Sequence, residues 1–244
     1  MTLRTPNSQL RNSRSWGLGV GVLGVVAALL VLDPRVGAAG RVVTFPAADG
    51  RTVSALLIEA DQRPAPAVVL VPMLGRSKDD WEGVAQRLAE SNITALAIDL
   101  PGGAVPDPAW SDDVRAAVSY LAARTGDIRP DAIGVAGASL GANLAVVAAA
   151  ADPAIRSLAL VSPSLDYRGV RIEAALRAYG SRPALFIASV RDPYAARSVR
   201  ELTQDGAGPR DIRWSDAPAH GTVLLSRDPD LVRAILEWFQ LTLG

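Results

Sequence analysis

The sequence predicts an α/β protein: one mostly parallel central sheet, helices on both faces, and an antiparallel hairpin at the leading edge. Three observations predict it. Short, continuous apolar runs recur through residues 41–244, and a strand that is apolar on both sides must be covered on both faces. Segments with apolar residues at helical spacing alternate with those runs. No internal repeat or long linker divides them, so residues 41–244 form one domain with room for one sizeable core.

The elements follow in chain order. "VVTF" and "VSALLIE" flank Asp49-Gly50, a hairpin signal. "AVVLVP" (67–72) is a continuous apolar strand. In "SKDDWEGVAQRLAE", Ser77 is placed to cap a helix, with Asp80 three residues on and Trp81, Val84 and Leu88 on one face. "ITALAIDL" (93–100) is a second buried strand, followed by the loop "PGGAVPDP". A helix from Ser111 aligns Val114, Val118 and Leu121. "AIGVAGAS" (132–139) is a strand and "LGANLAVVAAAA" a small-residue helix. "IRSLALVSPS" is a strand and "VRIEAALRAYG" a short helix. "PALFIASVRD" (183–192) is a strand, "YAARSVRELTQ" a helix and "RDIRWSDA" the last strand. In the final helix Asp228 caps and Pro229 takes the first turn. Asn92-Ile93-Thr94 fits a glycosylation acceptor, but its place at the start of a strand favours a structural role.

Composition excludes several classes of function. The chain has 25 basic and 25 acidic residues, and its basic residues are arginines except for Lys78. No run of like charge suggests nucleic acid. The absence of cysteine removes disulfides, thiol chemistry and thiolate metal sites. A single histidine removes a His-rich metal site, and the carboxylates are not clustered as calcium loops require. The expectation is a protein with no cofactor and no metal.

Residues 1–40 read as an export segment. Arg4, Arg11 and Arg14 precede an apolar run, Trp16 to Leu32, which Asp33-Pro34 ends before the small residues of "RVGAAG". As a helix its 17 residues span roughly 26 Å, slightly short of a bilayer core of roughly 30 Å. A cleaved signal peptide and a retained membrane anchor both fit, and a buried core helix is the plainer third reading. With the arginines inside, either export reading places the rest outside the cytoplasmic membrane, periplasmic, secreted or held on its outer face. "GVGVLG" (19–24) has the spacing of a nucleotide-binding loop, but it lies inside this run rather than between a strand and a helix. Removing residues 1–40 takes away four arginines and one aspartate, leaving 21 basic and 24 acidic residues and a net charge of −3.

The chemistry converges on three residues. Gly137-Ala138-Ser139-Leu140-Gly141 is a G-x-S-x-G between an apolar strand and an Ala-rich helix. A sharp strand-to-helix turn strains the serine and lifts its hydroxyl clear of the sheet, above a helix N-terminus, which requires tiny neighbours two residues away on either side. Leu140 then presents its backbone N–H to a developing oxyanion. A serine hydroxyl needs a base, and the base needs an orienting carboxylate, in the chain order Ser, Asp, His. Asp192 ends a strand 53 residues after Ser139, and His220 follows the next strand, 28 residues further on. Each has a plainer reading: Asp192 beside Pro193 as a helix cap, His220 as a lone surviving imidazole. Asp166, just past the preceding strand, is the rival acid.

"VVLVPMLGRSKDDW", "AIDLPG", "GASLGA", "SVRDPYA" and "AHGT" together resemble the α/β-hydrolase superfamily, particularly its small lidless members of the esterase and dienelactone-hydrolase type, over roughly residues 42–242. The resemblance implies Ser139, Asp192 and His220 as a catalytic triad. In the family the loop after the first central strand reads His-Gly-x, and the amide of x is the second oxyanion donor. Here those positions read Pro72-Met73-Leu74, so the resemblance implies the Leu74 N–H as donor, with that of Met73 as the fallback. Pro72 stiffens what glycine normally frees. Only about twenty residues lie between the strand ending near Pro163 and the one beginning at Pro183, room for one short helix and no large cap. The site is therefore expected to be open.

The sequence thus predicts an extracytoplasmic serine hydrolase acting on a small-molecule or acyl ester. An acyltransferase or peptidase with the same triad is the alternative within that chemistry. A non-catalytic envelope binding module on a degenerate hydrolase fold is the alternative outside it.

Overall fold

The computed structural model describes residues 39–102, 105–204 and 207–244. The apolar run at 16–32 and the rest of the export segment through residue 38 lie outside the described residues.

Among the described residues are ten strands and seven α-helices, of which eight strands and six helices follow the predicted order. The strands are β1 (Arg41–Pro46), β2 (Thr52–Ile58), β3 (Ala65–Val71), β4 (Thr94–Ile98), β5 (Ile128–Ala138), β6 (Ile155–Val161), β7 (Asp166–Tyr167), β8 (Val170–Arg171), β9 (Ala184–Ser189) and β10 (Arg210–Ser215). The helices are α1 (Glu82–Glu90), α2 (Ser111–Ala122), α3 (Leu140–Ala151), α4 (Glu173–Tyr179), α5 (Pro193–Leu202), α6 (Thr222–Arg227) and α7 (Pro229–Leu243). Eight strands form one sheet in the order β1-β2-β4-β3-β5-β6-β9-β10. The β1–β2 and β2–β4 pairs are antiparallel, and every other pair is parallel.

The sheet is covered on both faces because its strands are apolar on both. Along β3, Val69 and Val71 belong to one core, with Val114 and Val118 of α2, Leu144 of α3 and Val199 of α5. Val68 and Leu70 belong to the other, with Trp81, Leu88 of α1, and Ile235 and Phe239 of α7. The alternation is the two-residue period of a strand pointing its side chains to opposite sides. At about 25 cal/mol per Å² of apolar surface buried, this double burial is the main term opposing chain entropy.

Three local details differ from the sequence reading, and a fourth agrees with it. Ser77 does cap, its Oγ accepting from the Asp79 amide at 3.3 Å, but it caps a short 3₁₀ turn over Lys78–Trp81 that leads into α1. Asp228 precedes Pro229 as expected, yet its carboxylate accepts from Ser215 Oγ at 2.6 Å and makes no side-chain cap. The tiny hairpin β7–β8 and the six-residue helix α6 carry too few residues to show a period. The structural role at Asn92 and Thr94 is observed: their side chains accept from the amides of Gln62 (3.0 Å) and Ala60 (3.1 Å).

Candidate active site

Ser139 stands on the turn between β5 and α3 with φ +51° and ψ −116°, a region that costs a non-glycine residue about 1–3 kcal/mol. The surroundings enforce it. Its amide donates to Val161 O at 2.8 Å, tying the turn to β6, while its carbonyl accepts from Ala142 at 3.0 Å to begin the helix. The small flanking residues are required sterically. A Cβ on Gly137 would stand 2.2 Å from Gly141 O, and one on Gly141 would stand 2.4 Å from Val71 O. No Cβ survives such distances without backbone movement.

Asp192 opens α5 after β9, and its two oxygens do separate jobs. Oδ1 accepts from the Ala195 amide at 3.2 Å as a helix cap, and Oδ2 lies 2.5 Å from His220 Nδ1. Both plain and catalytic readings of this residue therefore have a geometric basis in the same carboxylate. Asp166, the rival acid, is engaged elsewhere. It accepts from Arg171 Nε at 2.8 Å and from the Gly169 amide at 2.6 Å inside the β7–β8 hairpin. The Arg171 bond, then the amide, holds its carboxyl below the usual carboxylate range.

His220 sits in the loop between β10 and α6, its side chain part exposed. The next residue, Gly221, takes φ +59°, and a Cβ there would meet Met73 Sδ at 2.5 Å and Ala138 Cβ at 3.8 Å. The histidine loop thus packs directly against the residue preceding Ser139. Among the described residues no hydrogen bond joins the Ser139 hydroxyl to the imidazole, and Ser139 Oγ has no other hydrogen-bond partner.

The loop after β3 lies against the start of α3, where Val71 O and Pro72 O close on Gly141. It turns back through an Arg76 amide to Met73 O bond of 3.2 Å, with Gly75 at φ +73°. The amides of Met73, Leu74 and Leu140 have no acceptor among the described residues. Lys78, the only lysine, anchors the far end of the loop: its amide and ammonium donate to Asp99 at 2.9 and 2.7 Å. The bond to Asp99 raises the lysine above its ordinary pKa and keeps it charged.

The sequence reading missed a row of serines. β5, β6, β9 and β10 each reach a serine at their carboxyl end, Ser139, Ser162, Ser189 and Ser215, and all four are buried. The last three support the histidine loop. Ser162 Oγ accepts from the Gly221 amide at 3.0 Å, Ser189 Oγ donates to Ala217 O at 2.6 Å, and Ser215 Oγ accepts from the Ala217 amide at 3.2 Å. The repeated apolar-run-then-serine pattern was the available signal. A cavity of about 620 Å³ between α4 and α5, lined by Leu165, Glu173, Arg177 and Leu202 among others, includes none of these residues. Among the described residues no group of three or more His, Asp or Glu is arranged to hold a metal.

A family model described as the alpha/beta hydrolase fold matches residues 73–205. The chain belongs to that family. The match spans Ser139 and Asp192 and ends before His220. Solved structures agree on the alpha/beta hydrolase fold. A thermostable carboxylesterase cloned from a metagenomic library is 19% identical with a TM-score of 0.70, covering 85% of this chain and 90% of its own. An esterase of Pyrococcus furiosus is 17% identical with a TM-score of 0.71, covering 84% and 92%. A dienelactone hydrolase from Anabaena variabilis is 18% identical with a TM-score of 0.68, covering 84% and 99%. No curated protein sequence matches significantly. Membership in the alpha/beta hydrolase fold family supports hydrolase activity and leaves the bond cleaved to the chemistry of the site.

Proposed function

We propose that this chain is a serine hydrolase of carboxylic esters, with Ser139 as nucleophile, His220 as base then acid, and Asp192 as the orienting carboxylate. The observation that carries the reading is the 2.5 Å contact of Asp192 Oδ2 with His220 Nδ1, at a loop packed against the strained turn of Ser139.

Asp192 holds the proton on Nδ1, which leaves Nε2 free to accept one. Rotation about the Ser139 side chain brings its hydroxyl to Nε2 when substrate enters; such bonds are commonly long before substrate binds. The Ser139 oxygen attacks the ester carbonyl as its proton passes to His220. The tetrahedral oxyanion accepts from the Leu140 and Leu74 amides, both without an acceptor among the described residues. Collapse breaks the C–O bond, and His220 protonates the departing alkoxide. Water, deprotonated by His220, then hydrolyses the acyl-enzyme and releases the acid. Beyond the ester and water, these steps draw on side chains and backbone amides of this chain. The carboxylesterase and dienelactone hydrolase among the similar structures favour an ester over an amide.

A fluorophosphonate probe tests the reading. Wild type is expected to label and Ser139→Ala is not; a folded wild type that stays unlabelled would transfer the assignment to a binding module. The unusual Pro72-Met73-Leu74 loop and the absence of a Ser139–His220 hydrogen bond are what favour that second reading. Export is part of the proposal and rests on the basic and apolar pattern of residues 4–32. Trypsin added to whole cells is expected to digest the protein, and protection there would place it inside.

A further inference from the structure

Resting on that reading, we propose that Ser162 and Asp80 are positioning residues, which hold His220 over Ser139 by clamping the two residues that follow the imidazole.

Gly221 is a free joint next to the base. Glycine loses most by being ordered and swings most easily when it is not held. Two hydrogen bonds hold this joint, one on Gly221 itself and one on the next residue, Thr222. On the sheet side, its amide donates to Ser162 Oγ at 3.0 Å. Ser162 is buried, sits at φ +49°, and donates its own amide to Ile187 O at 2.7 Å. The preceding Val161 accepts the Ser139 amide. One buried serine therefore links the nucleophile's turn, the strand leading to Asp192 and the histidine loop. On the solvent side, Thr222 Oγ1 donates to Asp80 Oδ2 at 3.0 Å. The same oxygen is ion-paired with Arg76 Nε at 3.3 Å, in the loop that carries Met73 and Leu74. This second bond joins the histidine loop to the expected oxyanion loop.

A turn with no task at Ser162 would favour glycine, which adopts φ +49° without steric penalty. A strained, buried side chain whose hydroxyl meets the amide beside the only histidine points instead to function.

The test uses the full chain and the variants Ser162→Gly, Asp80→Ala and Asp80→Asn. Ser162→Gly keeps the backbone conformation easy and removes the hydroxymethyl group that carries the bond, while Asp80→Asn keeps an oxygen for Thr222. Two quantities are read: kcat and KM for p-nitrophenyl acetate, and the Nδ1–H resonance of the imidazole. With one histidine in the chain that resonance has a single origin. Ser162→Gly and Asp80→Ala are expected to lower kcat roughly three- to tenfold each, the scale of one neutral hydrogen bond. KM should stay unchanged, the Nδ1–H signal should broaden through faster exchange, and Asp80→Asn should behave as wild type. Unchanged kcat and an unchanged signal in folded Ser162→Gly and Asp80→Ala would overturn the clamp, as would a loss confined to KM. A wild type inert to the ester and to fluorophosphonate, whose signal still broadens in the variants, would sink the hydrolase reading and support the clamp. Asp80 lies at the surface, so its variants decide the matter should Ser162→Gly fail to fold.

Discussion

Asp192 and His220, 28 residues apart, meet at 2.5 Å, and the oxygen of Asp192 that faces away from the ring caps α5 through the Ala195 amide. One carboxylate therefore begins a helix and orients an imidazole. The helix fixes the carboxylate's position, since a capping oxygen cannot turn without releasing its amide.

This double use separates two substitutions. Asp192→Asn keeps an oxygen for Ala195 but turns an NH₂ toward Nδ1, which selects the wrong tautomer. Its kcat for p-nitrophenyl acetate is expected to fall on the order of 10³- to 10⁴-fold with little change in melting temperature. Asp192→Ala is expected to lose the activity and, in addition, about 1 kcal/mol of stability from the missing cap. Equal activity in Asp192→Asn and wild type would leave the residue as a cap alone.

The glycines on either side of the Ser139 turn are expected to be intolerant. Gly141→Ala would put its Cβ 2.4 Å from Val71 O and 2.5 Å from Pro72 O, both backbone atoms unable to rotate away. Urea unfolding should show a loss of at least about 1–3 kcal/mol, with fluorophosphonate labelling abolished. Full labelling at native stability would show that the turn has slack the structure does not display.

Gly221 and Met73 form a testable pair. Gly221→Ala meets Met73 Sδ at 2.5 Å and also places alanine at φ +59°. Adding Met73→Ala removes the collision but not the backbone strain. In a double-mutant cycle the pair should therefore recover part of the lost stability, leaving about 1–2 kcal/mol for the backbone term. Strict additivity would mean that the two groups are not in contact.

Asp113 supplies a pH dependence. The carboxyl is buried beneath the β1–β2 turn, where Arg51 Nη2 donates to it at 3.1 and 3.2 Å. Burial raises it above the ordinary carboxylate value, and the opposing pull of Arg51 is smaller. The folded state then binds a proton more tightly than the unfolded chain, so stability falls as pH rises through the folded pKa. Asp113→Asn, which cannot ionise, is expected to be the more stable protein at pH 7, with the difference vanishing as pH drops below the ordinary carboxylate range. Chemical unfolding of both proteins between pH 3 and pH 7, the range roughly spanning carboxylate titration, measures it. A difference independent of pH would exclude the linkage.

Much of the fold was legible in the chain because it is written in local patterns. The continuous apolar runs in 67–72, 132–139 and 183–192 read as covered strands, and all three are interior strands of the sheet. Gly137 and Gly141 declared the turn around Ser139 because no Cβ fits at either. The order Ser, Asp, His also lay open to reading, being a matter of sequence alone.

The partners of three carboxylates were set by the tertiary structure alone. Asp166 and Asp192 each follow a strand, and the sequence favours Asp192 with Asp166 as the rival; in the folded chain the β7–β8 hairpin engages Asp166 while Asp192 faces His220. Asp80 read as part of a helix start, yet its partner is Thr222, 142 residues away. Asp228 read as a cap and instead binds Ser215. The physical reason is common to all three. Periodicity and steric demand act over a few residues and are printed in the chain. A carboxylate's partner is chosen by which donors the folded sheet brings within about 3 Å, a distance unrelated to separation along the sequence.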